Sequence, residues 1–365
     1  MKNNISSLYV HIPFCESICN YCDFPKLQYF RFLAEQYLDA LEKEIKDVVK
    51  NKDLETIYVG GGTPTVLEDD LFLKLLEMLK PYSLKVKEYT FEANPESLNE
   101  NKIKMMKEYG VNRVSIGVES TDNKILSLIN RKHTFEDVQK CVENLKKYRL
   151  DNFNVDLILG LPNVTKGMLK NDLDNLLSLD PKHISTYSLT VHPNTMFYIN
   201  KINEPEDDIS RELYDLVHET LTKHGYIHYE VSNFAKEGYE SKHNFVYWKN
   251  KRYYGVGLAS AGYIDNVRYK NTSNFDKYIK GINEKEEEYL SLKDEREYCL
   301  MLLLRTNQGI SLKEYTQKYN KDLYLEKKKE IEEFISNGLL EIKDDRLVAT
   351  YQGMMVLDQI IIALY

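Results

Sequence analysis

Long apolar runs are missing from this chain of 365 residues. CLMLLL and IIIALY are only six residues long, far short of the roughly 18 needed to cross a bilayer. The opening MKNNISSLYV lacks the apolar stretch of a secretory leader, so a reducing cytoplasm is the expected home. Peripheral contact with a membrane surface stays compatible with these features; a transmembrane segment does not. Cysteine is scarce and odd in number, at five, which argues against a disulfide framework. Basic charge is not in excess either: 49 Lys and Arg face 57 Asp and Glu, a net charge of −8. That balance disfavours nucleic acid as a partner. Only 9 prolines and a single Trp occur, whereas 42% of residues are hydrophobic and 29% charged, the composition of a globular chain. At this length one large domain and a smaller one are expected.

From residue 8 to about 190, short β-rich runs alternate with helical patterns. The strand candidates are LYVHI (8–12), TIYVG (56–60), YTFEA (89–93), RVSIG (113–117), FNVDLIL (153–159) and HISTYSL (183–189). Amphipathic helices are expected over 32–49, 71–82, 99–109, 134–149 and 165–179. Such alternation implies parallel βαβ units. Cys15, Gly60 to Gly62, Glu92, Glu119 and Asp156 all fall late in a strand or just after it. Residues gathered at the C-terminal ends of parallel strands are how a barrel builds its site, whereas a Rossmann sheet places its glycines after the first strand. Six units are too few for eightfold closure. The expected fold class is therefore α/β, a partial (β/α)6 TIM-like barrel over 1–225. Residues 226–285 read as a loop-rich extension, with 275–288 as a charged linker. Residues 286–365 read as helices followed by a hairpin, a winged-helix-like domain whose acidic residues outnumber its basic ones.

Three of the five cysteines form Cys15-x3-Cys19-x2-Cys22 on one short segment. Three thiolates can hold three corners of a cuboidal iron–sulfur cluster and leave one iron open. A zinc site of three cysteines with His11 or a distant group is the plainer alternative. Glu92 and Asp156 are carboxylates in otherwise apolar strands, where an unpaired charge is costly. Either a ligand or a buried pair with Arg131 would satisfy them. The glycine run before Thr63 and Pro64 reads as a close backbone approach or as a tight turn. Cys141 and Cys299 fall in helical patterns and read as core residues.

This cysteine spacing, with Tyr21 before the last thiol, resembles the hallmark of the radical S-adenosylmethionine (SAM) superfamily. The resemblance runs over nearly the whole chain to its branch similar to oxygen-independent coproporphyrinogen III oxidase. The segments that carry it are YVHIPFC (9–15), YVGGGTPT (58–65), FEANPES (91–97), RVSIGVES (113–120), INRKH (129–133), DLILGLP (156–162), HNFVYW (243–248) and LMLLLRTNQGI (300–310). It implies a [4Fe–4S] cluster on Cys15, Cys19 and Cys22, SAM chelated by the open iron, and an electron donor for the cluster. It further implies SAM contacts from Tyr9, Tyr21, Gly61, Gly62, Thr63, Glu92, Glu119, Arg131 and Asp156; Tyr9 and Tyr21 read equally well as core aromatics.

Two details divide the family. Its oxidases resemble CxxxCxxCxC and carry a longer extension before the cluster loop. Here Phe24 stands two after Cys22, and 14 residues precede Cys15. Both point to the heme-chaperone branch, as does His-Asn-x-x-Tyr-Trp at His243, Asn244, Tyr247 and Trp248. The resemblance thus implies heme as ligand, His243 as its axial ligand, and an unidentified heme-acceptor protein as partner. A surface or hydrogen-bonded histidine, with Trp248 an ordinary core anchor, is the plainer reading of His243 and its neighbours. No Cys-x-x-Cys-His occurs, so paired thioether attachment of heme is not expected. The chain departs from the family in having Glu119 where a Gln is usual, and in reading GVGLASAGY (255–263) without the usual histidine.

Overall fold

In the computed structural model, which describes residues 5–365, each of the six β-rich runs is a strand of one sheet. They are β1 (Ser7–Ile12), β2 (Thr56–Gly61), β3 (Glu88–Ala93), β4 (Arg113–Glu119), β5 (Phe153–Leu159) and β6 (His183–Ser188). Three short strands extend the sheet to nine: β7 (Ile227–Glu230), β8 (Asn233–Ala235) and β9 (Tyr254–Val256). The order is β9-β1-β2-β3-β4-β5-β6-β8-β7. Every pairing from β9 to β6 is parallel, and β8 and β7 are added antiparallel. The sheet ends in two edges, so the structure is a partial barrel.

The strands are two-faced because side chains alternate. Leu8, Val10, Ile57, Val59, Phe91, Val114, Ile116, Val155 and Leu157 are fully buried and form one apolar core under the helices. The other face carries Tyr9, Tyr58, Glu92, Ser115, Asp156 and Ser185; in register, Tyr9 lies beside Tyr58, Glu92 beside Ser115, and Asp156 beside Ser185. The helices over the apolar face are α1 (Arg31–Val48), α2 (Asp69–Ser83), α3 (Glu100–Glu108), α4 (Phe135–Lys147), α5 (Lys166–Ser178) and α6 (Asp207–Lys223). In α1 the buried residues are Ala34, Tyr37, Leu38, Leu41 and Ile45, the stripe expected of a period of 3.6. A capping box of Thr134 and Asp137 starts α4.

The region after residue 226 is more ordered than its composition suggests. Helix α7 (Lys242–Trp248) carries the HNFVYW segment. Strands β10 (Ala261–Ile264) and β11 (Val267–Asn271), helix α8 (Phe275–Ile279) and β12 (Lys285–Tyr289) follow. Residues 275–288 are therefore not a linker. Tyr278 on α8 stacks on Tyr37 at 5.2 Å between ring centres, and β12 pairs along all of β11. The glutamates that suggested a linker face solvent along this edge strand, where charge discourages further pairing.

The last residues build a second core around Leu300, Leu304, Ile331, Leu347 and Ile360. Helix α9 (Leu292–Leu303), β13 (Ile310–Ser311), α10 (Leu312–Tyr319), α11 (Leu323–Glu326) and α12 (Lys328–Ser336) precede the hairpin of β14 (Leu340–Lys343) and β15 (Arg346–Ala349). Lys327 separates α11 from α12, and after the hairpin Val356 separates α13 (Tyr351–Met355) from α14 (Leu357–Leu364). An antiparallel bridge from Glu230 to Thr306 joins this part to the barrel edge.

Glu44 on α1 ties the edge near β9 together: it accepts from Gly257 N (2.9 Å), Asn271 Nδ2 (2.7 Å), Asn283 Nδ2 (3.0 Å) and the Tyr278 hydroxyl (2.6 Å). Glu44→Ala leaves these four donors without that acceptor. Urea unfolding followed by circular dichroism is expected to show a loss of roughly 3 kcal/mol.

Candidate functional site

The inward faces and the loops at the C-terminal ends of the strands enclose a cavity of about 370 Å³. Twelve of the thirteen residues singled out from the sequence line it: Tyr9, Cys15, Cys19, Tyr21, Cys22, Gly61, Gly62, Thr63, Glu92, Glu119, Arg131 and Asp156. The thirteenth, His243, does not.

The cysteine loop is closed at its base, where Phe14–Cys15 bridges Leu27–Gln28. It is then pinned to the segment after β4. Asn20 N donates to Ile129 O (3.1 Å), Asn20 Nδ2 to Leu128 O (2.8 Å) and Asn130 Nδ2 to Ile18 O (2.8 Å). This docking explains why INRKH stands so far along the chain from the thiols it supports. Its Arg131 reaches Cys19 Sγ with Nη1 at 3.7 Å and Asn94 Oδ1 with Nη2 at 3.0 Å, and also donates to Gly117 O. Asn94, two residues past Glu92, was not singled out from the sequence, although its place at a strand end was the available signal.

The donor set suits a polynuclear cluster better than zinc. Among the described residues, no three Cys, His, Asp or Glu side chains converge tightly enough for one metal ion. His11 is committed elsewhere, with Nδ1 at 2.9 Å from the Tyr9 hydroxyl and Nε2 at 2.9 Å from Pro25 O. Three separate thiols around one space fit a cluster in which each thiolate binds its own iron. Burial pushes the Cys15 thiol up to about 11 and raises Cys22, so loading with iron must release protons.

The close approach expected at the glycines is made by the protein's own atoms. A side chain on Gly62 would stand 2.7 Å from Phe14 O, and one on Gly61, whose φ is +113°, would stand 2.4 Å from the His11 ring. Gly60 is likewise closed off by the Glu92 carboxyl at 2.5 Å. The side-chain space is filled by the protein itself: Glu92 on β3 closes on Gly60, His11 on β1 closes on Gly61, and Gly62, just after β2, lets the chain press against the cysteine loop at Phe14. Gly62 N donates to Ile12 O (2.8 Å) and Thr63 N to Phe14 O (2.7 Å) across that contact.

Three carboxyl groups face the cavity, Glu119 buried and Glu92 and Asp156 half-buried. Glu92 accepts from the Tyr58 hydroxyl (2.7 Å) and Gly61 N (2.8 Å), and burial still raises it to about 7. Asp156 accepts from Asn154 Nδ2 (2.7 Å) and is raised by burial. Glu119 sits at a β-bulge with φ of 68°, 3.9 Å from Arg131. Burial raises it to about 7 against the pull of Arg131. The expected buried pair with Arg131 is thus made by Glu119, rather than by Glu92 or Asp156.

His243 lies toward the other end of the barrel. Glu88, the first residue of β3, accepts from His243 N (2.8 Å) and Lys242 N (2.9 Å) and so holds the start of α7 against the strand beginnings. The imidazole is fully buried. Nδ1 is 2.8 Å from the Thr56 hydroxyl and Nε2 2.8 Å from the Tyr247 hydroxyl. Burial lowers it to about 3, so the ring is neutral. With both nitrogens engaged, it is not presented to a ligand in this conformation.

Two outcomes follow from this geometry. Cys15→Ala, Cys19→Ala and Cys22→Ala are each expected to lose iron–sulfur absorption after anaerobic reconstitution, whereas Cys141→Ala keeps it. The native state holds an extra proton at Glu119, so this group's contribution to stability falls as pH rises from 4.5 toward about 7. In cluster-free protein, Glu119→Gln should therefore gain on wild type over that window. Urea titrations at several pH values should read a gain on the order of 2 kcal/mol.

The radical SAM superfamily pattern matches residues 9–176, and the HemN C-terminal domain pattern matches 290–356. The heme chaperone HemW of Bacillus subtilis is 37% identical, the alignment covering 96% of this chain and 97% of that protein. The HemW of Lactococcus lactis is 38% identical, with 97% and 95% covered. Coproporphyrinogen III oxidase (HemN) from Escherichia coli superposes with a TM-score of 0.84, covering 99% of this chain and 90% of that one. At 22% identity that likeness speaks to the fold. With relatives this similar over almost their whole length, the chain belongs to the radical SAM superfamily, in the family of the heme chaperone HemW.

Proposed function

We propose that this chain is a cytoplasmic heme chaperone, which carries a [4Fe–4S] cluster and SAM, binds heme and passes it to an acceptor protein. The observation that carries this reading is the 37% and 38% identity, end to end, with proteins named heme chaperone HemW. The five cysteines, all free, and the absence among the described residues of a helix able to cross a membrane accord with it. Phe24, where the oxidases resemble a further cysteine, supports carriage over decarboxylation.

In this reading Cys15, Cys19 and Cys22 hold three irons, and Arg131 offsets charge beside Cys19. When bound, the cluster would supply a chelating iron and, fed by an electron donor, a reducing electron for SAM. Gly61, Gly62 and Thr63 form the backbone wall beside the cluster. Glu92, Asp156 and Glu119 supply acceptors for the ammonium and hydroxyl groups of SAM, and Tyr9 and Tyr21 supply aromatic walls. Glu119, raised by burial to about 7, would add a negative charge to this lining only when ionised, which an amide would not do at any pH. Because Tyr58 and Gly61 already hold Glu92, SAM would share that carboxylate or displace the Tyr58 hydroxyl.

Anaerobically reconstituted protein is expected to take up hemin with a growing Soret band and to release it to an apo-hemoprotein. Incubated with coproporphyrinogen III, SAM and a reductant, it should form no decarboxylated porphyrinogen. Turnover with production of 5′-deoxyadenosine would replace the chaperone reading with the oxidase reading.

A further inference from the structure

A histidine that serves heme as an axial ligand must present a ring nitrogen that iron can reach from outside. The chain has eight histidines. His11, His133, His183 and His243 are buried. His218 and His228 face each other at 3.1 Å and stack on Tyr351 and Phe234. His224 bonds back to Thr220 O at the end of α6. None of these seven lines the cavity; His192 does.

His192 follows β6, at the end of the barrel where the cysteine loop lies. Its side chain is 44% exposed, and its contact is a surface pair with Asp23, Nε2 to Oδ2 at 3.5 Å, with Asp23 45% exposed. Pairs this exposed are weak and readily given up. Beside the charged Asp23 and Lys26, the lining carries exposed apolar groups: Phe24 is 62% exposed, Tyr187 45% and Ile18 38%, and all three line the same cavity. Next to this rim, the short helix Met196–Ile199 leaves Met196, Tyr198 and Ile199 exposed. Phe197 N ties it to the cysteine loop at Asn20 O (2.9 Å). Exposed apolar groups concentrated at a cavity mouth mark a binding surface, and flat aromatic faces suit a macrocycle.

We propose that His192 is an axial ligand of heme seated across the mouth of the cavity, on the rim of Phe24, Tyr187 and Ile18. The inference rests on the heme-chaperone reading and adds a ligand and a seat to it. The cavity beneath then stays free for the cluster and SAM.

The test is hemin titration of the full chain, comparing wild type, His192→Ala and His243→Ala, with circular dichroism to establish folding. His192→Ala should shift the Soret band and weaken hemin binding about tenfold or more, and added imidazole should restore the wild-type spectrum. His243→Ala, where folded, should keep the wild-type Soret band. Unchanged spectrum and affinity in folded His192→Ala would overturn the assignment while leaving the chaperone reading intact. A wild-type chain that takes up no hemin would overturn both.

Discussion

Much of the structure depends on keeping a polar lining buried inside the barrel. Each parallel strand turns an apolar row toward the helices and a polar row inward, and the two rows cannot be exchanged without slipping the register. The inward row includes three carboxyl groups that burial disfavours as anions. They persist because adjoining segments provide partners: Tyr58 and Gly61 donate to Glu92, Asn154 donates to Asp156, and the Arg131 cation stands 3.9 Å from Glu119. The apolar shell under α1 to α6 makes that lining affordable.

The two ends of the barrel are finished in different ways. At one end the cysteine loop is pressed onto Gly62, just after β2, and docked on residues 128–131, so that segments far apart in the chain share one cavity wall. At the other, α7 is held by Glu88 with its histidine turned inward, and Tyr58 lies between them, its ring 5.3 Å from His243 and its hydroxyl on Glu92. A change at α7 therefore has a physical route to the cavity, through one tyrosine.

The C-terminal part carries its own core and meets the barrel through the bridge from Glu230 to Thr306 and through Tyr351, which stacks on His218 at 3.9 Å and donates to Asp215. These contacts fall on β7 and α6, at the edge of the sheet remote from β9. A further contact reaches the β9 side, where Glu295 of α9 pairs with Arg252 (2.9 Å) and accepts from the Tyr263 hydroxyl (3.2 Å).

The six parallel strands, the five helices expected between them and the clustering of twelve site residues were legible because they rest on local signals. Those signals are apolar periodicity, strand-end position and thiol spacing, and each survives in a single stretch of sequence. Residues 275–288 misled because a charged edge strand and a charged linker share one composition. The role of Gly60 to Gly62 was hidden because the atoms that fill their side-chain space belong to Phe14, His11 and Glu92. The environment of His243 depends on Thr56, 187 positions away, and on a helix turned into the barrel floor. The sequence by itself determined the two-faced strands and the three-thiol loop. Only the tertiary structure decided which imidazole is sealed and which stands at the cavity mouth, because access to a side chain is set by what distant segments pack over it.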